Sequence, residues 1–111
     1  MNTLQKLMFM GSNGFVVDNN EISLVTPQNL ERLRDIPILF IHGVENTVYS
    51  PESTEKDYDF FREMFGGEHY ERVVFKGRGH LDCWMGKTCF RDVYPAVETH
   101  ARKTILARGL M

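Results

Sequence analysis

The 111-residue sequence predicts an α/β fold built around a parallel sheet. Ile36–Gly43 is a continuous apolar run that ends at a glycine, and such a run is typical of a strand covered by helices on both faces. A stretch with helical periodicity follows, and Tyr70–Lys76 then repeats the β-prone pattern. Because strands joined by a helical crossover lie parallel, both strands are expected to belong to one parallel sheet.

Residues 1–35 are expected to form an irregular N-terminal segment with short helices. Thr3–Met10 has helical spacing with Thr3 as its N-cap, and the glycines in the Gly11–Gly14 stretch are expected to end this helix. Two brief β-prone pieces and a short helix follow, in the order Phe15–Asp18, Ile22–Val25 and Thr26–Arg34. In the last of these, threonine caps the helix and proline suits its first position.

Residues 36–108 form the predicted α/β segment. Ser50–Glu52 begins a helix with a cap, a proline and an acidic residue near the positive end of the helix dipole, and Gly66-Gly67 ends it. A last helix runs from about Arg91 to Leu106, with Pro95 in its first turn. Because two buried parallel strands need neighbours, we expect this segment to be the strand–helix–strand–helix portion of an incomplete domain.

The composition excludes several classes of function. Thirteen Lys and Arg against 15 Asp and Glu give a net charge of −2, which does not support binding to nucleic acid or to an anionic membrane surface. No apolar run reaches the roughly 18–20 residues of a membrane span. Two cysteines do not form a disulfide scaffold, so the cytoplasm is the default expectation, although an N-terminal signal missing from a truncated chain would change it.

Polar residues follow both predicted strands. Glu45 and Asn46 come directly after the first strand, and His80 follows the second. In open parallel sheets, ligands bind outside the carboxyl ends of the strands, so these side chains are expected to lie at one edge of the sheet. A histidine and an acidic or amide residue are two parts of a nucleophile–histidine–acid site.

These loops resemble the end of an α/β-hydrolase fold. Pro37–Gly43 with its Glu45-Asn46 loop, followed by Gly77–His80, looks like the last two strands of that fold, which carry the triad acid and the triad histidine. The run Gly79–Gly86 is similar to the histidine segment of the acid-lipase branch. The stretch from Ile38 to Thr104 also resembles a hydrolase-like module at the C-terminus of cholesterol-oxidase-type flavoproteins, through the segments Phe40–Gly43, Pro51–Thr54 and Asp92–Pro95.

The sequence departs from the hydrolase pattern in two places. The nucleophile motif Gly-x-Ser-x-Gly is absent, because Gly11–Gly14 has the wrong spacing and no long strand before it. The position of the family's aspartate falls on Asn46, with Glu45 one residue earlier. Either Glu45 has taken over the acid's role, or Asn46 orients the histidine and the site is weakened.

The other candidate residues favour structural roles. Asp82 is interpreted as a hydrogen-bond acceptor for its own loop, His42 as a residue packed under the site, and His100 as a solvent-facing helix residue. The His80, Cys83 and Cys89 spacing lacks the short pairs of a structural zinc site, so no metal is expected.

Two functions are therefore expected from the resemblance. The first is the C-terminal part of an esterase or lipase-like enzyme that acts on an ester or lipid-like molecule and is inactive without its nucleophile. In that protein His80 transfers the proton and Glu45 or Asn46 fixes its tautomer; no cofactor is implied. The alternative is the C-terminal module of a sterol oxidoreductase whose FAD is bound by residues elsewhere. The isolated chain is expected to be marginally folded or to self-associate through exposed strand edges.

Overall fold

The computed structural model describes residues 2–13, 16–67 and 69–109. The chain divides into two compact units, residues 1–35 and residues 36–111. The described part of the first unit contains the helices α1 (Thr3–Asn13) and α2 (Pro27–Glu31). The described part of the second contains, in chain order, β1 (Ile38–Gly43), α3 (Glu52–Phe65), β2 (Tyr70–Phe75), α4 (Asp82–Met85) and α5 (Cys89–Ala107).

The first helix begins with a cap that differs from the predicted one. The Asn2 side chain accepts a hydrogen bond from the Gln5 backbone N–H at 2.8 Å, and the Gln5 side chain accepts one from the Asn2 N–H at 3.0 Å. This reciprocal pair is a capping box, so Asn2 and not Thr3 is the N-cap. The helix also continues to Asn13, past the glycine that was expected to end it.

The described residues of the two β-prone pieces flank a tight turn and pair across it in an isolated bridge. Asp18 Oδ1 accepts hydrogen bonds from the N–H groups of Asn20 and Ile22, and Val17 pairs with Ser23 in one isolated antiparallel bridge. Phe15 lies outside the described residues. The predicted cap of α2 is confirmed, because Thr26 Oγ1 accepts from the Asn29 N–H at 3.2 Å, but the helix ends at Glu31 and not at Arg34.

The predicted α/β class is confirmed in the second unit, where β1 and β2 pair in parallel from Ile38↔Tyr70 to Gly43↔Phe75. The ladder begins where the Ile38 N–H donates to the His69 carbonyl. It begins two residues later than the apolar run, at Ile38 and not at Ile36. Among the described residues this sheet has two strands.

Helices cover both faces of the sheet, and each face has its own apolar cluster. On one face, α3 contributes aromatic rings that pack against the strands: Phe61 lies 6.0 Å from Phe40 and 5.5 Å from Tyr70, measured between ring centroids. On the other face, α4 and α5 build a core from Phe75, Cys83, Cys89 and Val93. The edge of the sheet at the carboxyl ends of the strands is therefore held between two helical layers.

The last helix differs from its prediction at two points. It begins at Cys89, two residues earlier than expected, so Pro95 lies in its interior and not in its first turn. His100 faces the sheet and not the solvent: its Nδ1 lies 3.3 Å from the Glu71 carboxylate, which Lys103 also contacts at 2.6 Å. These contacts arise because Glu71 points out of the sheet face that α5 covers.

None of the helices in the described residues is both long enough and apolar enough to cross a membrane. Cys83 and Cys89 are both buried free thiols.

Candidate functional site

The loops after the two strands bring Asn46 and His80 together. Asn46 follows β1 and His80 follows β2, and Asn46 Nδ2 lies 3.3 Å from His80 Nδ1 although 34 residues separate them in sequence. The contact forms because parallel strands present their carboxyl ends at the same edge of a sheet.

Asn46 is fixed in one orientation by its own loop. Its Oδ1 accepts hydrogen bonds from the backbone N–H groups of Val48 and Tyr49, each at 2.9 Å. Since a backbone N–H can only donate, the amide oxygen must face these two groups, and the amide nitrogen is the end that faces His80. Asn46 is therefore the donor and His80 Nδ1 the acceptor.

Glu45 lies beside this pair without joining it. Its backbone N–H donates to the Arg78 carbonyl at 2.9 Å, which links the two loops. The Glu45 side chain is exposed, and among the described residues its carboxylate has no hydrogen-bond partner. Of the two candidates for the orienting residue, the structure brings only Asn46 into contact with His80.

The close approach of the two loops requires a glycine at the end of β1. A Cβ atom added to Gly43 would lie 2.3 Å from the Arg78 carbonyl oxygen, a distance that no side chain tolerates. The His80 loop is closed by Asp82, whose Oδ2 accepts from the Gly79 N–H at 2.7 Å. The structural interpretation of Asp82 is thus confirmed.

Arg78 anchors the histidine loop to α5, a role that sequence reasoning missed. Its side chain is buried, and Nη2 donates to Asp92 Oδ1 at 2.7 Å. This hydrogen bond raises the pKa of Arg78 above its ordinary value. Desolvation alone raises the pKa of Asp92, but the hydrogen bonds from Arg78 and from the Val93 N–H outweigh it, so the pKa of Asp92 lies below its ordinary value. Arg78 sits two residues before His80, but its partner is on another element, and no local signal identifies such a pair.

An open pocket of about 270 Å³ lies next to His80. Its wall is mixed: aromatic and aliphatic side chains surround a few polar groups. The ring of Tyr49 lies 5.4 Å from that of His80, measured between centroids. The residues that line the pocket are Ile41, His42, Gly43, Asn46, Tyr49, Ser53, Thr54, His80, Cys83 and Trp84. A pocket with apolar walls and convergent polar groups is suited to a small organic ligand.

His42 lies under this pocket, buried as expected, and holds the Asn46 loop in place. Its Nε2 lies 2.9 Å from the Tyr49 carbonyl, and its Nδ1 lies 3.1 Å from Thr54 Oγ1. Because the carbonyl can only accept, Nε2 carries the hydrogen. Arg72 Nε donates to the same Thr54 oxygen at 3.1 Å, so a chain of hydrogen bonds joins both strands to α3 and to the loop after β1.

The hydroxyl groups that line the pocket are used within the protein. Ser53 Oγ donates to the Ser50 carbonyl at 2.8 Å. Thr54 Oγ1 lies 3.1 Å from two acceptors, the Pro51 carbonyl and His42 Nδ1. Neither hydroxyl is presented to His80 as a nucleophile would be.

The thiol of Cys83, which lines the pocket, is buried beside Cys89. Burial raises the pKa of the Cys83 thiol above its ordinary value, and the neighbouring Cys89 raises it further. A raised pKa reduces the fraction of thiolate, which is the form that attacks electrophiles and binds metals. Within the part of the chain that the structure describes, no cluster of three metal-ligating side chains is present.

The fold and the site define an α/β unit with a paired amide and histidine at the carboxyl ends of its two parallel strands. Comparison of the chain with protein-family models, with curated proteins and with solved structures gives no match.

Proposed function

We propose that residues 36–108 are the acid- and histidine-bearing part of an α/β-hydrolase-type sheet, in a protein that acts on an ester or lipid-like molecule. The observation that carries this proposal is the contact between Asn46 and His80 at the carboxyl ends of two adjacent parallel strands. The acid and the histidine of a hydrolase triad occupy these two loops, which the sequence resemblance had identified independently of the geometry.

The pocket supports the same class of ligand. Tyr49 and Trp84 are more than half exposed although both line the pocket, and Ile41 and Cys83 add apolar surface. An ester or lipid-like molecule would cover these side chains and remove their apolar surface from water.

The proposed catalytic step requires groups that the described residues do not supply. A hydrolase histidine takes the proton of a serine and returns it to the leaving group, while backbone N–H groups hold the oxyanion. Ser53 and Thr54 already donate within the protein, and the sequence has no Gly-x-Ser-x-Gly. The nucleophile must therefore come from another polypeptide segment, and the 111-residue chain alone is expected to be inactive.

The direction of the Asn46–His80 hydrogen bond favours the second candidate function, a module of an FAD-dependent sterol oxidoreductase. A base histidine needs an acceptor at Nδ1, and Asn46 presents a donor there. In a flavoprotein the hydride chemistry belongs to FAD bound elsewhere, so a hydrolase-like module needs no working base.

An esterase assay tests the expectation that the 111-residue chain lacks its nucleophile. The purified chain and its His80→Ala variant are incubated with an activated short-chain ester and, separately, with a serine-reactive fluorophosphonate. We expect both proteins to match the buffer control and neither to be labelled. Turnover by the wild-type chain that His80→Ala abolishes would show that the nucleophile is present after all.

The coding sequence upstream distinguishes the two candidates. A Gly-x-Ser-x-Gly motif after a strand supports the hydrolase, whereas Gly-x-Gly-x-x-Gly between a strand and a helix supports the flavoprotein. If the mRNA, sequenced to its 5′ end, encodes neither motif, both candidate functions are contradicted.

A further inference from the structure

The orientation of Asn46 determines which nitrogen of His80 carries its hydrogen. Val48 and Tyr49 hold the amide oxygen, so the amide nitrogen donates to His80 Nδ1. Nδ1 must then offer its lone pair, and the imidazole hydrogen lies on Nε2.

Among the described residues, the Nε2–H group of His80 has no hydrogen-bond partner. Among the described residues, Asn46 is the one hydrogen-bond partner of the ring, and it occupies Nδ1. The same ring lines the pocket with Tyr49 and Trp84. A ligand in this pocket therefore meets apolar side chains and the Nε2–H of His80 as one of its hydrogen-bond donors.

We propose that this pocket binds a neutral, largely apolar molecule through a carbonyl oxygen that accepts a hydrogen bond from His80 Nε2. A carboxylate fits less well, because the apolar walls would remove water from its charge. The inference rests on the proposed function for the location of the ligand at the strand ends. However, it assigns His80 the role of donor where a hydrolase triad requires a base.

The tautomer is measured on the ¹⁵N-labelled 111-residue chain by long-range ¹H–¹⁵N correlation of the histidine rings at neutral pH. His80→Phe identifies the His80 signals. We expect the Nε2–H tautomer in the wild type and the Nδ1–H form in Asn46→Asp, because a carboxylate accepts at the position where the amide donates. A wild-type His80 ring with its hydrogen on Nδ1, or a doubly protonated ring, would overturn the proposal.

The ligand class is tested with three probes of similar size: acetophenone, ethylbenzene and benzoate. We expect wild type to bind acetophenone most tightly, and His80→Phe to weaken acetophenone binding about three- to tenfold, the loss expected for one hydrogen bond. Ethylbenzene, which has no acceptor, should bind both proteins equally. Tighter binding of benzoate than of acetophenone to wild type, or no binding of acetophenone, contradicts the proposed ligand. None of these results depends on ester turnover, so the hydrolase proposal can fail separately.

Discussion

Single residues set the geometry of the site through the hydrogen bonds and close contacts that hold its two loops. Asn46 is held by two backbone N–H groups, and the loop that carries His80 is held by Asp82 and by the buried Arg78. Gly43 allows the two loops to approach, because any side chain there would collide with the Arg78 carbonyl. Changes in these supporting residues should therefore affect the stability of the loops.

The ion pair between Arg78 and Asp92 makes stability depend on pH. Because the pKa of Asp92 is lower in the folded state, its ionised form stabilises the protein fully above the unfolded-state pKa of about 4. This contribution is lost as the pH falls through the lower folded-state value. We expect Asp92→Asn to reduce stability at neutral pH and to flatten the decline in stability below about pH 4.

Denaturant unfolding of wild type and Asp92→Asn between pH 7 and pH 3 measures this effect. Part of the decline should remain in the variant, because hydrogen bonding to Lys103, with a further contribution from His100, also lowers the pKa of Glu71. Identical pH profiles for the two proteins would show that Asp92 contributes nothing.

At the scale of elements, a polar network joins α3 to the sheet. Thr54 on α3 receives a hydrogen bond from Arg72 on β2 and contacts His42 on β1. Arg72 also donates to the Pro51 carbonyl, which precedes the first turn of α3, at 2.8 Å. The start of α3 and the loop that carries Asn46 thus depend on the same group of side chains.

Replacement of Thr54 by valine tests this network, since valine has the same shape without the hydroxyl. We expect Thr54→Val to lower the free energy of unfolding by about 1–3 kcal/mol, because partly buried groups of His42 and Arg72 lose a partner. Ser53→Ala is the matched control: its hydroxyl bonds within the exposed first turn, and the expected loss is below about 0.5 kcal/mol. Equal losses in the two variants would contradict the network.

At the scale of the whole molecule, the outer edges of the β1–β2 sheet have no strand partner among the described residues. In β1, Ile38 bonds to β2 through its N–H, and the alternation of a parallel ladder turns the N–H groups of Leu39 and Ile41 away from β2. Many large apolar side chains of this unit are also exposed, among them Val48, Tyr49, Phe60, Leu81, Trp84, Met85 and Phe90. Free edges and exposed apolar surface both favour association.

We therefore expect the purified chain to self-associate at micromolar concentration, with sedimentation velocity as the measurement. Leu39→Pro should shift the protein toward monomer, because proline removes an N–H that the β1–β2 ladder does not use. Leu39→Ala is the control, since it loses the same side chain but keeps the N–H. A monodisperse wild-type monomer with a sharp thermal transition would contradict this expectation.

The sequence by itself determined the parallel arrangement of the two strands and the positions of their polar loops. These features depend on local patterns: an apolar run of strand length, a helix with its own start and stop signals, and a second run of the same kind. Local interactions also placed the cap of α2 at Thr26, whose partner lies three residues away. Even so, the N-cap of α1 was assigned one residue too late, because Asn2 and Thr3 are both good caps and only the bond to Gln5 separates them.

Only the tertiary structure decided what these loops can do. The sequence leaves Glu45 and Asn46 as alternatives for the orienting residue. The fold places the amide nitrogen of Asn46 against His80 Nδ1. The side chain that anchors the histidine loop, Arg78, and the sheet-facing position of His100 were equally hidden from sequence reasoning. The physical reason is that a hydrogen bond has a direction and a partner. The direction and the partner both depend on groups that folding brings together from distant positions in the chain. A pattern of residue types specifies neither the direction nor the partner.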